Sequence, residues 1–361
     1  MMKKMQIKAI VVSGLIGVML LTLTGCRAKH SLSKNNYKNK YSIALITDIS
    51  GVDDHSFTEA AWKGFEAFGQ EHELSRGMGG YQYFQSNSEG DFVPNFNQAA
   101  NAGFETLYGV GYALKEAVSS AAQKYPKKNF VIMDDVITGQ KNVVSATFKS
   151  NESSYLAGVV AAYTTKTNTV GFIGGARSTV LDLFEAGFKQ GVTDTAKKLG
   201  KKITILDQYV GDFTSTDKAK AIAQSMYAKK ADILYQAAAT AGNGVFQEAK
   251  NLNKTRSEKK KVWVIGVDSD QSAQGEYTNS RGKKDNCTLT SVLKGLGFAV
   301  KDIADKAYLG KFPGGKHLVY GLEHNGVSIT KGNLSAKAWQ ESQEARSQII
   351  NGKITVRTSP K

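Results

Sequence analysis

The chain has 361 residues, 41% hydrophobic and 22% charged, with a formal net charge of +15 at pH 7. That composition belongs to a globular protein rather than a disordered one, and the length suits two domains. The two cysteines, Cys26 and Cys287, are too few for a disulfide-built scaffold.

At the amino end, Lys3, Lys4 and Lys8 precede an apolar run from Ala9 to Leu23, then Leu23-Thr24-Gly25-Cys26. A basic stretch, an apolar stretch and a small-residue site form a secretory signal, here ending in a lipobox. The run is shorter than the ~20 apolar residues a spanning helix needs, so lipid on Cys26 is the expected anchor. An uncleaved signal anchor is the alternative. Residues 1–25 are thus expected to be removed, and residues 26–40 (CRAKHSLSKNNYKNK) to form a lipidated, polar tether. The expected location is the extracytoplasmic face of a cell membrane, on a Gram-positive surface. With Cys26 lipidated, Cys287 has no disulfide partner within the chain and reads as a filler beside a strand.

From Tyr41 onward, β-rich runs alternate with helical patterns. Apolar strands are expected at Ser42–Thr47, Tyr81–Gln85, Thr106–Val110, Phe130–Asp134 and Val143–Phe148. More follow at Thr169–Gly174, Ile203–Val210, Asp232–Gln236, Val262–Asp268 and Thr288–Leu293. Between them, helical spacing recurs, as with Trp62, Phe65 and Phe68 in the first helix. Such alternation predicts βαβ units and parallel sheets covered by helices. So many strands exceed one compact sheet, so two lobes are expected. The expected division is 41–147 plus 289–314 for lobe I and 148–288 plus 315–361 for lobe II, with several crossovers forming a hinge.

Ligands of open α/β sheets bind beyond the carboxyl ends of the strands. There the sequence places Thr47 to Phe57, Gly109 to Tyr112, Ser150 to Glu152, Gly175 to Arg177, Gly211 to Phe213, Ala241 to Gly244, Asp268 to Asp270 and Lys294, a mixture of polar groups, glycines and aromatics that suits a small-molecule cleft. No Gly-x-Ser-x-Gly, His-Glu-x-x-His, Walker or Gly-x-Gly-x-x-Gly motif is present. The five histidines lack ligand spacing, and Asp53, Asp54 and Ser56 fit helix capping. The reading is therefore not an enzyme, with no metal and no cofactor. Lysine clusters at 124–128, 197–202 and 259–261 read as solvated faces in an anionic envelope, not as nucleic-acid contacts.

Thr47-Asp48-x-x-Gly51-Val52-Asp53-Asp54-x-Ser56-Phe57 with Ala61-Trp62-x-Gly64 resembles the opening motif of the basic membrane protein (BMP), PnrA-like lipoproteins. Asn151–Gly158, Phe184–Val192, Ala231–Gln236 and Val264–Asp268 resemble further blocks of that family. The resemblance implies a two-lobed periplasmic-binding-protein type I fold and a purine nucleoside cargo (adenosine, guanosine or inosine). It also implies ABC permease and ATPase subunits as partners. A monomer is expected, and the spread of lysines argues against nucleic acid. By resemblance, Phe57 and Phe213 sandwich the base, Asp48 and Asn151 meet its polar edge, and Asp268 and Lys294 hold the ribose. Gly242 and Gly244 let backbone approach the ligand. Lys294 and Asp268 are expected to neutralise each other. Ser50 departs from the family's glycine and bears on ligand preference. Each residue also has a plain reading: Phe57 as a helix staple, Asp48 as a cap in its own loop, Asn151 as an N-cap, Lys294 as a surface lysine. A sugar-binding lipoprotein of the same fold and a surface adhesin remain the alternatives.

Overall fold

The structure, a computed structural model, describes residues 41–360. The signal segment 1–25, the tether 26–40 and the lipidation site Cys26 lie outside the described residues.

The first half of the chain runs β1 (Ile43–Ile46), α1 (Phe57–Glu71), β2 (Tyr81–Phe84), α2 (Phe92–Asn101), β3 (Thr106–Val110), α3 (Lys115–Lys124), β4 (Asn129–Met133) and β5 (Val143–Phe148). Then come α4 (Ser150–Thr164), β6 (Thr169–Gly174), α5 (Thr179–Lys198), β7 (Thr204–Tyr209), α6 (Thr216–Ala228), β8 (Ile233–Ala237), α7 (Asn243–Asn253) and β9 (Trp263–Asp268). A hairpin of β10 (Glu276–Thr278) and β11 (Lys284–Asn286) leads to β12 (Thr288–Lys294). The chain closes with α8 (Leu296–Tyr308), β13 (His317–Tyr320), β14 (Val327–Ile329) and α9 (Ala336–Ile350).

Two six-stranded sheets result, ordered β13-β5-β4-β3-β1-β2 and β14-β12-β9-β8-β6-β7. The first is wholly parallel, and in the second only the edge strand β14 runs antiparallel to its neighbour. Central strands such as β1 (IALI) are buried along their whole length, because helices cover both faces. On α1, Trp62, Phe65 and Phe68 point into the core at helical spacing. This is the expected two-lobed α/β architecture. Among the described residues no helix is long and apolar enough to cross a membrane.

The lobe boundaries differ from the expectation. β12 does not return to the first lobe; it pairs with β9 and β14 in the second sheet. Conversely β13, expected in lobe II, pairs with β5 in the first. Only α8, packed on α1, belongs to lobe I between them. The chain thus crosses after Phe148, after Lys294 and after Tyr320. A strand's apolar pattern says that it is buried, not which sheet buries it, so this choice was open in the sequence. Glycine allows the return: a methyl on Gly64 of α1 would lie 2.5 Å from the carbonyl oxygen of Gly297 on α8, so the helices touch backbone to backbone.

Candidate functional site

The carboxyl ends of both sheets face one cleft of about 290 Å³. That is close to the lower end of the roughly 300–1,000 Å³ typical of ligand pockets. Lobe I contributes Asp48 after β1, Phe57 at the start of α1, Tyr112 after β3 and Asp134 after β4. Lobe II contributes Phe184 from α5, Phe213 after β7, Asp268 ending β9 and Lys294 ending β12. Val180 and Leu181 extend the apolar wall formed by α5.

The aromatics come from opposite lobes. Phe57 and Phe213 both line the cleft and are partly exposed to it. Phe213 lies over Gly175, where a methyl group would stand 2.3 Å from its ring, so glycine is what admits the ring there. Tyr112 meets Phe213 edge to face across the cleft, with ring centroids 6.5 Å apart. Phe184 also lines the cleft although it is nearly buried.

Carboxylates sit between these rings. Asp48 Oδ1 accepts from the Ser50 amide at 2.9 Å and from the Thr58 hydroxyl at 3.2 Å. Burial pushes its pKa up to about 6, against the lowering effect of those bonds. The loop-capping reading of Asp48 and its place in the cleft therefore hold together. Asp268 accepts from the Ser56 hydroxyl at 2.6 Å, and burial likewise raises it to about 6, with Lys294 acting in the other direction. Asp268 adopts φ of 63° and Asp134 φ of 67°, so each strand ends in a left-handed turn at the cleft. That conformation is unusual outside glycine and is tolerated best by Asp and Asn.

Asp134 is the residue that sequence reasoning missed. Lys294 was expected to pair with Asp268; instead its ammonium donates to Asp134, across the lobes. The same ammonium lies 4.8, 5.1 and 5.5 Å from the ring centroids of Phe57, Phe148 and Phe184. Both partners are buried, so each supplies the counter-charge the other needs. A signal for Asp134 existed: like Asp268, it stands at the carboxyl end of an apolar run.

Two expected residues lie elsewhere. Asn151 sits in the first turn of α4, buried, and its amide donates to the Val356 carbonyl at 3.1 Å, pinning the carboxyl-terminal segment. It lines a neighbouring cavity that shares Asp134 and Val180 with the cleft. Gly242 does not line the cleft; a methyl there would stand 1.9 Å from Gln236 Oε1. At Gly244 a methyl would stand 2.0 Å from the Thr216 carbonyl oxygen, so α7 packs there on α6. Both glycines serve internal packing. Ser50 lines the cleft, and its buried hydroxyl has no hydrogen-bond partner among the described residues. Cys287 is fully buried, and burial pushes its thiol up to about 12, which suits a filler.

Direct bonds also join the lobes beside the cleft. Asp54 caps α1, accepting from the amides of Ser56, Thr58 and Glu59 at 2.9–3.0 Å. That leaves the Ser56 hydroxyl free for Asp268. Next to it, the His55 carbonyl accepts from Ser269 Oγ and Gln271 Nε2, each at 3.0 Å.

The family model described as "Bmp: ABC transporter substrate-binding protein PnrA-like" matches residues 40–359. The chain is 46% identical to the ABC transporter nucleoside-binding protein BmpA of Lactococcus lactis subsp. cremoris, covering 98% of this chain and 99% of that protein. It is 44% identical to the CD4+ T-cell-stimulating antigen of Listeria monocytogenes, covering 89% of each. Basic membrane protein A of Borreliella burgdorferi is 28% identical, over 93% of this chain and 92% of that one. Among solved structures, a solute-binding protein of an ABC transporter system from Aeropyrum pernix superposes with a TM-score of 0.75 at 20% identity, covering 89% of this chain and 94% of that one.

Proposed function

Because this chain belongs to the Bmp family of PnrA-like ABC-transporter substrate-binding proteins, we propose that it captures purine nucleosides between its lobes and passes them to a membrane permease. In this reading adenosine, guanosine or inosine enters the open cleft, and the lobes close on it. Phe57 and Phe213 stack on the two faces of the base, each contact contributing ~1–3 kcal/mol. Asp48 and Asp268 accept from N–H and O–H groups, which a nucleoside offers on its base and ribose. The free Ser50 hydroxyl meets the polar rim of the base and biases the choice among purines.

The observation that carries the reading is the charge balance of the cleft. Lys294 is its buried cation and is already matched by Asp134. Asp48 and Asp268 then remain as acceptors for an uncharged, donor-rich ligand. A nucleotide phosphate would meet carboxylates where it needs Arg or free amide donors. Closure brings Ser56, Ser269 and Gln271 into the bonds described above, so a ligand that holds both aromatics stabilises the closed form. The closed form is what the permease and its ATPase would recognise. Lipid on Cys26 and the tether 26–40 would keep the protein at the extracytoplasmic face of the membrane.

Calorimetric titration of residues 27–361, refolded to remove bound ligand, against purine and pyrimidine nucleosides, free bases and monosaccharides tests this. Purine nucleosides are expected to bind one to one and tightly. Phe213→Ala should weaken inosine binding roughly 5- to 150-fold, the equivalent of one lost stack. Monosaccharide binding without nucleoside binding would replace the cargo with a sugar, and an unaltered Phe213→Ala would remove the sandwich.

A further inference from the structure

In lobe II, β6, β7, β8 and β9 run parallel, so their incoming loops gather at one edge, opposite the cleft. Those loops are rich in lysine. Lys201 and Lys202 precede β7, Lys229 and Lys230 precede β8, and Lys259 and Lys260 precede β9, all exposed. Lys283 and Lys284 of the hairpin join them, because Lys261 binds Asp285 at 2.6 Å and ties the hairpin to this edge. Among the described residues, none of these exposed ammonium groups takes part in an ion pair. The buried Lys261, by contrast, is matched by Asp285 and lies 4.2 Å from the Trp263 ring. Glu258 is an exposed acid among these lysines, and on the cleft side the loops carry Asp212, Asp217 and Asp270 beside Arg177 and Lys218, the last paired with Asp212. The pole therefore holds an excess of unpaired ammonium groups that the cleft side lacks.

We propose that this outer pole of lobe II binds a linear polyanion of the cell envelope, a polyphosphodiester whose spaced phosphates the lysines neutralise. Lysine ammoniums on flexible stems suit diffuse contact with a mobile chain, whereas base reading would call for bidentate Arg and interleaved aromatics. A polymer fits better than a bilayer because of where the chain enters the fold. Tyr41 lies beside Thr106, at the incoming edge of the first sheet. That edge is at the far end of lobe I, so an anchor upstream of Tyr41 would attach the chain at the opposite end of the folded body from these lysines. This last step rests on the lipid-anchor reading; the charge pattern does not.

The test measures binding of polyglycerol phosphate to the protein at several salt concentrations. The variant Lys229→Gln/Lys230→Gln/Lys259→Gln/Lys260→Gln should bind about tenfold or more weakly at low salt. Its plot of log K against log salt should be shallower by roughly 3, at about 0.7 per lost phosphate contact. A control with Lys63, Lys306, Lys337 and Lys353 neutralised should keep binding, and purine nucleoside binding should be unchanged in both variants. An equal loss in the control would reduce the effect to net charge and overturn the proposal. So would unchanged binding by the pole variant, or binding to phosphatidylglycerol vesicles with none to the polymer. Polymer binding by a protein that takes no nucleoside would overturn the cargo reading and leave the pole intact.

Discussion

Asp48, in the loop after β1, and Asp268, at the end of β9, stand in a cleft where burial raises both to about 6, above the ~3.9 of a free Asp. Between roughly pH 4 and 6 the folded protein then holds protons that the unfolded chain has lost, so these groups add stability as pH falls. Ligand binding should run the other way. A protonated carboxyl no longer accepts from both oxygens, so nucleoside affinity is expected to fall as pH drops through about 6. Titrations from pH 7.5 to 5 should show Kd rising at the acid end; a flat profile would mean that neither carboxylate meets the ligand as an anion. At this scale much of the cleft was legible: Asp48, Phe57, Phe213, Asp268 and Lys294 do converge. The structure adds Asp134 to the cleft and places Asn151 and Gly242 outside its lining, because strand-end polarity does not say whether a side chain faces the cleft or a neighbouring element.

The helices of lobe II depend on glycine at their crossings. α4 packs on α5 through Gly158, Gly187 and Gly191. A methyl on Gly187 would stand 2.1 Å from the Asn151 carbonyl oxygen, and one on Gly191 equally close to that of Tyr155. Backbone lies on the far side of each contact, so relief requires the helices to separate. Gly187→Ala is therefore expected to destabilise the protein by about 1–3 kcal/mol, the usual scale of overpacking. A thermal melt should show a drop of several degrees; an unchanged midpoint would mean that α5 shifts at little cost. The elements themselves were legible in the alternation of apolar runs and helical spacing. The short strands β10, β11 and β14 were not, since each has three residues and no period to read.

Across the whole molecule, the lobes are joined by bonds outside the proposed ligand contacts. The His55 carbonyl of lobe I accepts from Ser269 and Gln271 of lobe II. Removing one neutral hydrogen bond costs about 0.5–1.5 kcal/mol. If the free protein is mainly open, Ser269→Ala should raise Kd by roughly 2- to 10-fold through faster release, although Ser269 does not line the cleft. Small-angle scattering of the liganded variant should show a larger open fraction at subsaturating nucleoside. Unchanged affinity and scattering would show that the ligand alone sets closure.

From the amino-acid sequence alone came the α/β class, the largely parallel sheets and the loops that line the cleft. Those follow from local signals: apolar runs, helical spacing, and polar or aromatic residues just after strand ends. Long-range packing settled which sheet took β12 and β13, which acid matched Lys294, and that Asn151 secures Val356 instead of facing the cleft. Each of these is a choice between partners distant in the chain. Burial satisfies either choice equally in the sequence pattern, and the competition is settled only when the lobes pack and each buried charge finds the counter-charge within reach.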